Sequence, residues 1–248
     1  MMLKKTLFLI VACCLFFGNY ASAQGITLGY VNFPPYEFED NGEPSGLLVT
    51  IVEMVFEKAD IPLTLKFLPF KRAYEYVKTG SSEIDGLFNF YKTKERLDFF
   101  DYTVSVINNP LVFFVRKDSV VKFSTLEDLK GLKVGVMRGY TYGTDFDKNT
   151  LFVREPTDSH KLNFVKLVYG RTDAYPCDQL VGILVAMKNN LMSELKILPT
   201  TLKVMDGYIG FTKGKHQQTI NRLNRVIREM SQNGEIENII NQYLDENL

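Results

Sequence analysis

The sequence predicts an α/β chain of two lobes, each a mainly parallel sheet flanked by helices, joined by two hinge crossings. Three observations carry this. Strand-like and helix-like segments alternate along the chain after residue 23, the pattern of βαβ units. The alternation runs through two sets, and the C-terminal segments return to the first. A cation, Arg96, ends a short polar turn in the first set, and an anion, Asp178, stands in the second.

The elements follow in order. Ile26 to Val31 reads as an opening strand, and a loop with Pro34-Pro35 and Asn41-Gly42 follows. Leu47, Leu48, Ile51, Val52, Val55 and Phe56 recur at helical spacing. Leu63 to Phe67 is a strand, and Lys71 to Lys78 a helix closed by Gly80. Asp85 to Phe90 and Pro110 to Val115 are strands, with a lobe crossing placed at Val106 to Leu111.

The second set opens with a capped short helix, Ser124 to Leu129, and a strand, Lys133 to Met137, that runs into Arg138-Gly139-Tyr140-Thr141-Tyr142-Gly143. Leu151 to Val153 reads as a strand, and Asp158 as the cap of a helix through Val168. Thr172 to Tyr175 reads as a strand before a helix from Gln179 to Met187. The chain returns near Leu202 to Gly207 into a strand, Tyr208 to Phe211. Two helices separated by Gly234 close it, the first with an apolar stripe from Ile220 to Met230 that reads as core. The expected division is a leader at 1–23, a first lobe at 24–108 and 206–248, and a second lobe at 109–205.

The N-terminus has the form of a secretory signal. Lys4 and Lys5 precede an apolar stretch from Thr6 to Phe17, and Ala21-Ser22-Ala23 is a small-residue cleavage box. The stretch is short for a membrane span, which needs about 20 apolar residues. Ile10 to Cys13 resembles a lipoprotein box but sits very early. Cleavage after Ala23 would remove two lysines and no acid, leaving a net charge of −2. That near-neutral balance offers nothing to nucleic acid. Cys177 would be the one cysteine left, so an internal disulfide is not expected. His160 and His216 have no second ligand at metal spacing, and neither a metal nor a cofactor is expected.

Arg96 and Asp178 carry the functional reading. Arginine presents a planar fork that fits a carboxylate with two parallel hydrogen bonds. With an anion in the other lobe, the pair suits a zwitterion held between lobes. Taken singly, each charge reads first as a solvated surface group or a structural ion pair, and the surrounding chain carries the case. Phe33, Asn89, Thr141 and Asp178 all fall at strand ends, where ligands of open α/β sheets sit.

Five motifs in order then resemble the family 3 extracellular solute-binding proteins, the polar amino-acid receptors of ABC importers. They are Phe33-Pro34-Pro35-Tyr36 with Gly46; Gly80 with Ile84-Asp85; Thr93-Lys94-Glu95-Arg96; Asp128 to Val136; and Gly170-Arg171-Thr172-Asp173-Ala174 leading to Asp178. The resemblance implies the two-lobed type II periplasmic binding protein fold, a small-molecule ligand, a membrane permease as partner, no enzymatic activity and a monomer in the periplasm. It assigns Arg96 to the ligand α-carboxylate with Thr141 sharing it, and Asp178 to the α-ammonium. Phe33 and Phe70 become aromatic walls. Asn89 or its neighbour Phe90 offers further contacts, and Tyr91 and Tyr36 complete the candidate lining. Thr50 stands where many members have an acid. Arg72, Arg138 and Tyr142 depart from the family pattern and would crowd or recharge the cleft if they point inward, which leaves a small organic acid open beside an amino acid.

Two other functions stay open at this level. One is an enzyme similar to cyclohexadienyl dehydratases, with Glu37, Glu39 or Glu155 as general acid. The other is a ligand-binding partner of a membrane sensor.

Overall fold

The computed structural model describes residues 25–247. The expected leader and the early cysteine box lie outside them. Strand β1 (Ile26–Tyr30) leads through a short hairpin, β2 (Phe38–Asp40) and β3 (Glu43–Ser45), into helix α1 (Leu47–Lys58). The apolar stripe of α1 is entirely buried, as its spacing requires. Each such Leu, Ile, Val or Phe contributes roughly 1.5–3 kcal/mol by leaving water. Gly46 caps the helix at φ 120°, and a Cβ there would meet the Tyr36 carbonyl oxygen at 2.6 Å. Glycine is therefore required at this close approach, which fixes the loop carrying Phe33 and Tyr36 against α1.

Strand β4 (Leu63–Phe67) pairs parallel with β1, Ile26 opposite Leu63. Helix α2 (Phe70–Thr79) ends on Gly80 in the left-handed region. Strand β5 (Gly86–Phe90) lies parallel to β1 on its other side. A 3-10 turn at Arg96–Asp98 precedes β6 (Phe100–Tyr102).

Two long strands connect the halves. Strand β7 (Ile107–Arg116) and strand β11 (Leu195–Thr212) pair antiparallel, from Ile107 opposite Gly207 to Arg116 opposite Leu195. The sheet order is β10-β7-β11-β5-β1-β4, with β6 also on β11. Helices α6 (Gln217–Gln232) and α7 (Glu235–Asn247) follow β11 and return to α1.

Between β7 and β11 lie the remaining elements. Strand β8 (Lys133–Met137) pairs parallel with β9 (Val153–Thr157). Helices α3 (Thr144–Asp147) and α4 (His160–Val168) flank them, and strand β10 (Tyr175–Asp178) leads directly into α5 (Gln179–Lys188). The sheets are mixed: parallel pairs in each half, as the βαβ alternation predicts, and antiparallel pairs wherever β7 or β11 takes part.

Three local expectations are corrected. The strand placed at Leu151 to Val153 begins only at Val153; Phe152 turns its ring into a core with Phe146 instead of joining the ladder. The strand placed at Thr172 to Tyr175 is displaced to Tyr175–Asp178, and Ala174 makes a single bridge to Val134. Pro176 lies within it because β10 is at the sheet edge, where a missing N–H is tolerated. Helix α4 is capped by Ser159, whose Oγ accepts from the Leu162 amide at 3.2 Å, while Asp158 pairs with Arg138. Among the described residues no helix is long and apolar enough to cross a membrane.

Candidate functional site

A cavity of about 330 Å³ lies where the loop after β1, the start of β7 and the ends of β8 and β10 converge. Register explains the convergence. Asp178 stands opposite Leu111 on β7, and Leu111 opposite Lys203 on β11, so the end of β10 lies beside the crossing strands. A larger open groove of about 710 Å³ runs past Pro34, Pro35 and Tyr243, but no candidate residue lines it.

Five expected site residues meet at the cavity: Phe33, Tyr91, Thr141, Tyr142 and Asp178. Asp178 has a structural task as well, as the cap of α5. Its Oδ1 accepts from the Val181 amide at 3.0 Å and from the Tyr36 hydroxyl at 2.7 Å. Burial pushes its carboxyl above the ordinary range, while the Val181, Tyr36 and Leu180 hydrogen bonds hold it back. No cation pairs with it among the described residues. Tyr36 is buried and stacks on Phe33, ring centres 5.7 Å apart. Burial and the adjacent Asp178 raise its phenol.

Tyr142 turns its ring to the cavity and its hydroxyl inward, accepting from the Met137 amide at 2.8 Å. The Thr141 hydroxyl is engaged by Asp147. Tyr91 lines the cavity, and its phenol is raised by burial.

The other candidates lie elsewhere. Arg96 is half-buried outside the cavity wall; its Nη1 donates to the Tyr91 carbonyl at 2.8 Å, and its guanidinium lies 4.3 Å from the Phe90 ring centre. It has no carboxylate partner among the described residues. Phe70, 43% exposed, opens α2 with its ring 5.8 Å from that guanidinium. Asn89 adopts a left-handed φ of 53° and leaves its Oδ1 without a partner, close to Gly207. Arg138 does not recharge the cavity: it is exposed and pairs with Asp158 at 2.7 Å, a surface pair worth little. Arg72 is exposed on α2.

None of the three carboxylates weighed as general acids lines the cavity. Glu39 is exposed, and Glu155 pairs with Lys166 at 3.0 Å. Glu37 is buried, accepting from the Val31 amide at 3.2 Å. Burial pushes its carboxyl up to about 8, against the Val31 amide and the nearby Asn89 side chain.

The sequence reading missed much of the wall: Asn109, Tyr140, His160, Tyr175 and Cys177. His160 Nδ1 lies 2.6 Å from the Tyr175 hydroxyl and 3.4 Å from Cys177 Sγ. Burial lowers the imidazole pKa and raises that of the thiol, so both are neutral near pH 7. One signal was available. Alternation along β7 puts Asn109 on the face of Leu111, and both line the cavity. No group of three or more His, Cys, Asp and Glu side chains is gathered as for a metal among the described residues.

Several motif acids prove to be architectural. Asp85 accepts from the Thr27 amide, Asp173 from the Lys133 amide, and Asp128 closes a capping box with Thr125.

Comparison with known proteins agrees with this architecture. The model of the bacterial extracellular solute-binding proteins, family 3, matches residues 26–246. The protein named "Probable amino-acid-binding protein YxeM" of Bacillus subtilis is 25% identical over 265 residues, covering 100% of this chain and 98% of its own length. The L-cystine-binding protein TcyJ of Escherichia coli K12 is 25% identical over 208 residues, covering 83% of this chain and 76% of its own. The extracellular-binding protein ytmK of Bacillus subtilis shares the fold, with a TM-score of 0.71 at 21% identity over 90% of this chain and 98% of that one.

Proposed function

The chain belongs to the bacterial extracellular solute-binding proteins, family 3, and from that premise we propose that its cavity binds a free α-amino acid for delivery to an ABC importer. The observation that carries this reading is Asp178, a cavity-lining carboxylate with no cation beside it among the described residues. A ligand ammonium supplies that cation. Arg96, equally without a carboxylate partner, takes the ligand carboxylate. Phe33 and Tyr91 wall the ligand between them.

Arg96 stands outside the cavity wall, so the reading includes a movement. The lobes, 24–108 with 206–248 and 109–205, close about the crossings at Val106–Leu111 and Leu202–Gly207 and bring Arg96 to the ligand. Neither lobe alone holds both charges, so ligand favours the closed form through contacts that only this form has.

We read the protein as a carrier and not an enzyme. The names of its relatives are those of binding proteins, and the acids weighed for catalysis do not line the cavity. The leader expected at 1–23 supports export to the periplasm, and the partner is the importer's membrane permease. The carrier works as a monomer.

A thermal-shift screen of the purified chain against amino acids and small organic acids tests this. A ligand at 100 times its dissociation constant adds about 2.7 kcal/mol of apparent stability. Stabilisation by an amino acid supports the reading, and stabilisation by organic acids alone overturns it.

A further inference from the structure

We infer that the cavity selects an α-amino acid with an uncharged side chain, and that Asn109 on the crossing strand β7 is the residue that reads its polar group. The inference rests on the amino-acid reading above and narrows it.

The charge of the wall gives the first argument. Among the described residues Asp178 is its one acid, and no lysine or arginine lines it. His160 is neutral near pH 7 and already faces the Tyr175 hydroxyl at 2.6 Å. With Asp178 holding the α-ammonium, a second cation on the ligand side chain would be desolvated without a partner. A side-chain carboxylate would meet no cation at all. Either burial leaves a desolvated charge unpaired and is strongly disfavoured. The rest of the wall is aromatic or apolar, with Phe33, Tyr140, Tyr142, Tyr175, Leu111 and Met205.

Asn109 gives the second, independent argument. Its side chain lines the cavity, is 1% exposed, and leaves both Nδ2 and Oδ1 without a hydrogen-bond partner. The neighbouring Tyr91 phenol is close enough to sense the amide, but no hydrogen bond of sound geometry joins them. A buried unpaired amide is destabilising and rare in folded proteins. Across the ladder Asn109 stands opposite Met205 of β11, which lines the cavity with it. An amide offers one acceptor and two donors. Its complement is a neutral group that both donates and accepts, a carboxamide or a hydroxyl.

The test is calorimetric titration of the full chain with L-glutamine, L-asparagine, L-serine, L-threonine, L-tyrosine and L-cystine, against L-arginine, L-lysine, L-aspartate and L-glutamate. The tightest ligand is expected in the uncharged set, at least tenfold ahead of every charged one. Asn109→Ala and the similarly sized Asn109→Leu are then titrated with that ligand. Both should bind at least tenfold more weakly, while the ligand-free melting temperature stays level or rises, because the lost amide had no protein partner. A structural asparagine, or one satisfied by a buried water, would give variants that bind within twofold of wild type, and that result overturns the role of Asn109. A charged amino acid as tightest ligand overturns the selectivity while leaving the amino-acid reading intact. Silence from every amino acid removes both.

Discussion

The Tyr36 hydroxyl donates a 2.7 Å hydrogen bond to Asp178 Oδ1, joining the loop after β1 to the cap of α5 across 142 residues of sequence. The pair is a contact between the two expected lobes at the cavity. It also stabilises the charged form of a carboxylate that burial disfavours. The same oxygen accepts from the Val181 amide, so the carboxylate is fixed before any ligand arrives.

Tyr36→Phe removes that donor and keeps the stack on Phe33. A hydrogen bond to a charged group contributes roughly 1.5–3 kcal/mol. The variant should lose about that much stability in urea melts and should bind its amino acid several-fold more weakly. Unchanged values for both would mean that the bond is incidental.

Arg96→Ala should weaken binding by about 2–5 kcal/mol, the usual cost of truncating one partner of a desolvated charge pair. Arg96→Lys should rescue little, because the fork is lost. The ligand-free protein should fold, since the described contacts of Arg96 are the Tyr91 carbonyl and aromatic faces. Calorimetry on both variants reads the result, and wild-type affinity in either would remove Arg96 from the site.

Glu37 predicts a pH dependence. Its folded carboxyl titrates at about 8 against an ordinary 4.5, so the folded state binds the proton more tightly. The contribution is therefore fully present below about pH 4.5 and is lost as pH rises through about 8. Stability should fall across that window by up to roughly 1.4 kcal/mol per pH unit. His160 and His216, whose folded pKa values are lowered, act in the opposite sense, their contribution being lost as pH falls below the ordinary 6.5. The difference between wild type and Glu37→Gln isolates the carboxyl. Urea melts from pH 5 to 9 should show the variant gaining on wild type as pH rises. Parallel curves would contradict the burial of an ionisable Glu37.

Ligand should compact the molecule. Small-angle scattering at saturating amino acid should give a lower radius of gyration than the ligand-free protein, because the proposed closure is what would bring Arg96 to the ligand. An unchanged profile, with binding measured separately, would mean a cleft already closed.

Much of this architecture was legible in the sequence where one local rule decides an element. The stripe of α1, the Gly80 stop of α2 and the capping box at Thr125 and Asp128 are such cases. The β2–β3 hairpin was not read as strands. Asn41-Gly42 marked its turn, and both residues have positive φ, but flanking strands of three residues with Pro44 and acidic side chains carry no alternation to detect. At the site, Asp178 was legible because it follows a recognisable segment. The wall formed by His160, Tyr175 and Cys177 was not. Those residues come from α4 and β10, and only tertiary packing brings the imidazole beside the phenol and thiol. Arg96 was expected at a ligand carboxylate, whereas the structure places it outside the cavity wall, with its guanidinium on the Tyr91 carbonyl and the Phe90 ring, packing that no motif encodes.

Asp178 itself allows the most direct test. Asp178→Asn keeps an oxygen able to cap α5, so the fold survives while the charge is lost. The measurement is calorimetric titration of wild type and Asp178→Asn with the amino acid that stabilises the protein most, and with the same molecule lacking its α-amino group. The account predicts that wild type prefers the amino acid at least tenfold, about 1.4 kcal/mol. It also predicts that Asp178→Asn loses most of that preference while the des-amino acid binds it as well as, or better than, wild type. Tighter binding of the des-amino acid to wild type, or an amino-acid affinity indifferent to Asp178→Asn, would contradict it.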